Sequence, residues 1–136
     1  MATGLYDKGR EAFAKGLIAW DSDDIRAILV DAADYTADLA THDFLDDIPS
    51  AARVAVSAAS LGNKTATNGV CDADDLTISS VSGDQFEAIV LYKHTGTEAT
   101  SRLIAYIDNY TGLPCTPNGG NITIQWPSDS NKIFKL

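Results

Sequence analysis

Short apolar segments separated by turn-forming residues constrain this fold more than any other feature of the sequence. The clearest is the segment 122–126, where Ile122, Ile124 and Trp126 alternate with polar residues. Alternation with a period of two predicts a strand with one buried face. Similar segments recur along the chain between glycine, asparagine and aspartate residues, so we expect about eight to ten short strands. The other segments are 25–30, 54–56, 76–79, 86–92, 102–110 and 133–134.

The first third of the chain is less regular. Residues Tyr6 to Lys15 have apolar side chains near helical spacing, and Gly16 follows as a helix-ending residue, which predicts a short N-terminal helix. The apolar run 17–20, the acidic turn 21–24 and the strand-like run 25–30 predict a β-hairpin. Residues 31–50 read as a long acidic connection with one or two anchoring apolar residues and one helical turn before Pro49. Together these patterns predict a mainly β fold, an antiparallel β-sandwich of jelly-roll type with a short N-terminal helix, as a single domain over residues 1–136.

Composition and charge narrow the class of protein. Hydrophobic residues make up 45% of the 136 residues, as in ordinary globular domains. The formal net charge is −9, and residues 1–75 hold 14 of the 19 acidic residues. Such a charge disfavours a nucleic acid or an anionic membrane as partner and fits a partner with a basic face. No apolar stretch is long enough to span a membrane, and residues 1–7 lack the basic and apolar regions of a signal peptide, so we expect folding in the cytosol.

Few residues are suited to catalysis or to binding a metal ion, and we predict neither an enzyme nor a bound cofactor or metal. His42 and His94 lie in different segments without metal ligands at a suitable spacing, and we expect both at the surface. Cys71 and Cys115 are too few for a disulfide framework and are expected to be buried thiols. No Gly-x-Ser-x-Gly motif supplies a nucleophile.

Two acidic clusters leave calcium binding open. Asp21, Asp23 and Asp24 share one turn, and a second turn holds three more aspartates in 72–75. Carboxylates are good calcium ligands, but neither cluster has the glycine and glutamate of an EF-hand loop. Solvated turn residues are the simpler interpretation.

The C-terminal segment is the predicted interface. Its residues are either basic or apolar inside an otherwise acidic chain, and a short segment of this kind can complete a neighbour's sheet or groove by strand addition. Pairing within the chain's own sheet is an equally good alternative. The residues concerned are Lys132, Ile133, Phe134, Lys135 and Leu136.

The sequence also resembles a family of small tailed-bacteriophage virion proteins over nearly its whole length. The matching segments are 5–13, 18–20, 25, 28–30, 34–36, 81–85, 88–93, 103–108, Thr111-Gly112-Leu113-Pro114, Pro117-Asn118-Gly119-Gly120 and 131–136. These motifs are turns and strands, so they identify the family without identifying any chemistry. The sequence departs from the pattern at Cys115, where we expect an aliphatic residue.

The resemblance implies a virion component assembled in the host cytoplasm. By analogy with small acidic β-rich phage proteins, we expect a capsid cement or decoration protein. It would form a homo-oligomer, a dimer or a trimer, and bridge subunits of the major capsid protein. A tail or head–tail junction protein is the first alternative. A carbohydrate- or receptor-binding module that uses Trp20, Trp126 or tyrosines as stacking platforms is the second.

Overall fold

The computed structural model describes residues 4–136, so Met1–Thr3, part of the N-terminal segment examined for a signal peptide, lie outside the described residues. The single α-helix in this part of the chain, α1, spans Asp7–Ala14. The strands are β1 (Gly4–Leu5), β2 (Ile25–Val30), β3 (Arg53–Val56), β4 (Val70–Cys71), β5 (Leu76–Ile78), β6 (Ala88–Lys93), β7 (Leu103–Ile107), β8 (Ile122–Ile124) and β9 (Phe134–Lys135). Short 3₁₀ turns lie at Leu45–Asp47, Ser50–Ala52, Thr67–Gly69 and Glu98–Thr100.

The strands form one large antiparallel sheet and two small ones. The five-stranded sheet has the order β1-β7-β6-β2-β3, so β1 and β3 are its edge strands. The two-stranded sheets pair β4 with β9 and β5 with β8, again antiparallel. The prediction of a mainly β, antiparallel fold with one short N-terminal helix is therefore confirmed.

The central strands of the large sheet are buried on both faces. In β2, Ala27 and Leu29 belong to one hydrophobic cluster, whereas Ile28 and Val30 belong to another. Successive side chains of β6 also alternate between the two clusters. Because both faces of these strands are buried, their sequences are continuous apolar runs rather than alternations of apolar and polar residues. The large sheet therefore separates two hydrophobic cores.

The first core contains residues from both small sheets and from the helix. Ile78, Ile124 and Phe134 share it with the side chains of one face of the large sheet, and Ala12 of α1 joins them. The helix lies very close to β7, since a Cβ atom at Gly9 would lie 2.6 Å from the carbonyl oxygen of Leu103. Glycine at this position therefore sets how closely α1 packs on the sheet.

The second core is covered by the connection between β2 and β3. Tyr35, Leu45, Ile48 and Ala52 of this connection are all at most 8% exposed. Three of these residues lie within 31–50, where the sequence predicted one or two anchoring apolar residues, so the predicted number was too low. The helical turn predicted before Pro49 is present as the 3₁₀ turn Leu45–Asp47.

The predicted N-terminal helix is confirmed, but the prediction of a β-hairpin after it is wrong. Helix α1 ends at Ala14, and Gly16 has a φ of +72° as expected for a helix-ending glycine. Strand β2 forms, yet it pairs with β3 and β6 rather than with residues 17–20. The Asp23 carboxylate accepts a hydrogen bond from the Ala19 backbone N–H at 2.8 Å, which folds residues 19–23 into a turn instead of a strand.

Candidate functional site

The two tryptophans are part of the core and not stacking platforms. Trp20 is 3% exposed and Trp126 is 8% exposed, so neither ring offers the stacking face that the alternative of a carbohydrate-binding module requires of it, and only the tyrosines are left for that role. Each indole N–H donates to a backbone carbonyl at 3.0 Å, Trp20 to Asp72 and Trp126 to Asp74. Both rings therefore fix the turn 72–75 against the first core.

The histidines hold hydrogen bonds with tyrosines. His42 Nδ1 lies 2.9 Å from the Tyr35 hydroxyl, and the two rings stack with their centroids 5.4 Å apart. Tyr35 in turn shares a 2.9 Å hydrogen bond with the buried hydroxyl of Tyr6, and burial raises the pKa of Tyr6 above its ordinary value. His94 lies 3.4 Å from the Tyr92 hydroxyl. Both imidazoles are half-buried rather than fully at the surface.

Two of the three residues in the first predicted acidic cluster, Asp23 and Asp24, form hydrogen bonds and ion pairs within the chain, whereas Asp21 is exposed. Asp23 lies 3.1 Å from Lys93 Nζ. Burial raises the pKa of this carboxyl, but the hydrogen bonds from Ala19 and Lys93 outweigh it and leave that pKa below its usual range. Asp24 accepts two hydrogen bonds from the Arg26 guanidinium, each at 3.0 Å. The cluster therefore organises the turn before β2.

The second predicted acidic cluster anchors loops. Asp74 accepts a hydrogen bond from the Asn63 side chain at 2.6 Å, and Asp75 accepts one from the Trp126 backbone N–H at 3.0 Å. Within the described residues, carboxylate oxygens converge to within 4.8 Å at two other places instead. These are Asp31 with Asp34 and Asp84, and Asp43 with Asp46 and Asp47. Asp31 is only 9% exposed, and the other five are exposed or half-buried.

The predicted C-terminal interface is paired within the chain. Strand β9 pairs with β4, so that Phe134 lies opposite Cys71, which is the alternative left open from the sequence. Ile133 is fully buried, and Phe134 is 3% exposed with its ring edge-on to Trp20 at a centroid distance of 5.2 Å. A contact of this segment with a partner stays a prediction. The side chains positioned for one are Lys135 and Leu136, which are exposed, and Lys132, which is half-buried.

A groove that the sequence did not indicate runs beside β8, and we call it the edge groove. Its polar half has a volume of about 490 Å³ and its apolar half about 260 Å³. Tyr110 and Thr111 line both halves, so the two cavities lie side by side. The polar half is completed by Asn109, Gln125, Pro127 and Asp129, and the apolar half by Phe86, Gly112, Leu113, Cys115, Ile122, Thr123 and Ile124.

Hydrogen bonds outside the strands hold the two walls of the groove. The Tyr110 hydroxyl accepts a hydrogen bond from the Gln125 backbone N–H at 3.0 Å, which ties one wall to the end of β8. Cys115 and Phe86 exchange two backbone hydrogen bonds, at 2.9 and 3.0 Å. These residues are far apart in sequence, so only tertiary structure brings them together. In the sequence, the motif Thr111-Gly112-Leu113-Pro114 contributed only to the resemblance to phage proteins and indicated no groove.

The two thiols differ in their surroundings. Cys71 is 1% exposed, and burial raises the pKa of its thiol to about 12. Cys115 is half-buried and lines the apolar half of the edge groove. The prediction of a buried thiol is therefore confirmed for Cys71 and was too strong for Cys115.

Comparisons with protein families and with curated proteins found no relative of this chain. No family model matches this chain, and no curated protein matches it either. Among residues 4–136, no helix is long and apolar enough to cross a membrane.

Proposed function

We propose that this chain is a structural component of a tailed-phage virion, and specifically a capsid cement protein. In this role it self-associates as a dimer or trimer and bridges neighbouring subunits of the major capsid protein, which stabilises the head. The resemblance of the sequence to small phage virion proteins supports the proposal. We also propose that the three antiparallel sheets belong to a sandwich of jelly-roll type, since residues of all three share the first core.

The open edge of β3 is the structural observation that best supports self-association. Strand β3 is the last in the large sheet, and Val56 at its end is 40% exposed. Its one charged residue, Arg53, donates to the carbonyl oxygen of Ile48 at 2.6 and 3.0 Å and therefore does not shield the edge. An edge strand without exposed charge or proline is suited to pairing with another chain.

Replacing Val56 with lysine tests this edge. We expect Val56→Lys to shift the protein from oligomer to monomer, because lysine on an edge strand opposes edge-to-edge pairing. Leu17→Lys is the matched control, since Leu17 is also an exposed apolar residue, at 53%, but follows the helix rather than lying on a sheet edge. Light scattering coupled to gel filtration measures the mass of each variant. An unchanged mass for Val56→Lys would show that this edge is not the association surface.

Co-sedimentation with phage particles tests the cement role itself. The purified protein is mixed separately with heads that lack it, with tails and with host envelope fractions. We expect saturable binding to heads and greater resistance of those heads to heat, because contacts that bury surface between subunits stabilise the assembled state. Binding to tails alone would favour the tail or head–tail junction alternative. Binding to the envelope alone would favour a carbohydrate- or receptor-binding module.

A further inference from the structure

The edge groove lies against the edge of β8 that pairs with no other strand within residues 4–136. In the pair of β5 and β8, the backbone N–H of Trp126 reaches Asp75 on the β5 side, whereas the N–H of Gln125 reaches Tyr110 on the opposite side. Because these directions alternate along a strand, the N–H and C=O of Thr123 also face away from β5. Thr123 lines the groove. The groove therefore presents a backbone donor and a backbone acceptor that are positioned to pair with an added strand.

The apolar half of the groove has a buried floor. Phe86 is 1% exposed and Ile124 is 2% exposed, and both line it from below. Leu113 and Ile122 are half-buried and form its sides. Such a site receives an apolar side chain, since burying one there removes apolar surface of both partners from water.

The polar half is negatively charged. Asp129 is the only charged side chain among the described residues that line either half. Its Oδ1 accepts hydrogen bonds from the backbone N–H groups of Asn131 and Lys132, at 3.0 and 2.9 Å, which hold the carboxylate in place. With a net charge of −9 on the whole chain, this end of the groove favours a basic side chain.

We propose that the edge groove binds an extended segment of the capsid lattice protein. The segment adds to β8 as a strand, places an apolar side chain over Phe86 and Ile124, and places a lysine or arginine near Asp129. Strand addition supplies affinity through backbone hydrogen bonds, and the side-chain sites supply specificity. This inference rests on the proposed function, because it names the surface through which a cement protein would hold the lattice.

Cys115 serves as a natural reporter of whether the groove is occupied. Iodoacetamide at about pH 8 reacts with accessible thiolates, so in the free protein we expect it to modify Cys115 and to leave Cys71 unmodified. Mass spectrometry of the protein bound to heads then measures the modification of Cys115. We expect this reaction to slow in proportion to the fraction of chains bound, since the added strand covers the apolar half of the groove. Binding to heads with Cys115 still fully reactive would overturn the groove and leave the cement role intact.

A pair of proline substitutions tests strand addition directly. Thr123→Pro removes the backbone N–H that faces the groove, and proline is tolerated where a strand's N–H does not pair within its sheet. Thr77→Pro is the matched control, because Thr77 lies directly opposite Thr123 and its N–H faces the other edge of the same small sheet. Both variants lose the 3.0 Å hydrogen bond between the two threonine hydroxyls, so that loss cancels in the comparison.

The outcomes separate the groove from the function. We expect Thr123→Pro to bind heads about tenfold more weakly than Thr77→Pro, the effect of losing one hydrogen bond. Equal binding by the two variants would overturn strand addition. If neither variant folds, modification of Cys115 in the unaltered chain still shows whether binding to heads covers the groove. Failure of the unaltered chain to bind heads would overturn the cement role, and the groove proposal with it.

Discussion

Deleting Lys132 to Leu136 is expected to unfold the protein rather than to yield a folded monomer that no longer assembles. The deletion removes Ile133, which is fully buried, and Phe134, which packs against Trp20 and Phe13 at centroid distances of 5.2 and 6.1 Å. Losing two such side chains costs about 5 to 10 kcal/mol. Since a domain of this size has a free energy of unfolding of about 5 to 15 kcal/mol, little or no stability is left. Near-ultraviolet circular dichroism and urea unfolding measure the outcome.

A point variant controls for changes at the exposed end of the chain. Lys135→Ala lies within the same segment, but the Lys135 side chain is exposed, so we expect its free energy of unfolding to change by less than about 0.5 kcal/mol. A truncated chain that unfolds cooperatively in urea would contradict the prediction. If that chain were also monomeric, the C-terminal segment would be a partner contact, as predicted from the sequence.

Strands with a strong local pattern were predictable, and their partners were not. The apolar run at Ile25–Val30 predicted β2, because few other arrangements bury so many branched side chains in succession. Its partners β3 and β6 lie dozens of residues away, and nothing in the run itself indicates them. The nearer partner predicted from residues 17–20 was wrong because Asp23 stabilises a local turn there, a preference of aspartate that competes with strand formation.

The edge groove could not have been predicted from the sequence. Its walls come from Phe86, the segment 110–115 and β8, which contact one another only after the sheets have formed. In the sequence, nothing distinguishes Tyr110 from the other four tyrosines, and its hydrogen bond with the Gln125 backbone forms only through tertiary packing. The burial of Trp126, by contrast, was predictable, since it shares the parity of Ile122 and Ile124 in an alternating strand.

Replacing Trp126 with alanine is expected to lower the free energy of unfolding by about 3 to 5 kcal/mol. The ring is 8% exposed within the first core, and its removal leaves a cavity that the neighbouring strands fill only in part. The substitution also removes the indole N–H that donates to the Asp74 carbonyl oxygen at 3.0 Å. Urea unfolding followed by circular dichroism measures the change, and Gln125→Ala, at the exposed neighbouring position, is the control.

A second variant separates packing from hydrogen bonding. Trp126→Phe keeps most of the apolar volume but leaves the Asp74 carbonyl without its donor, so we expect a smaller loss of about 1 to 3 kcal/mol. The order of stability is then wild type, Trp126→Phe and Trp126→Ala. If Trp126→Ala were as stable as Gln125→Ala, the ring would contribute no core packing and would be available at the surface. That result would support the hypothesis that Trp126 is a stacking platform for carbohydrate, because such a platform requires an exposed indole face.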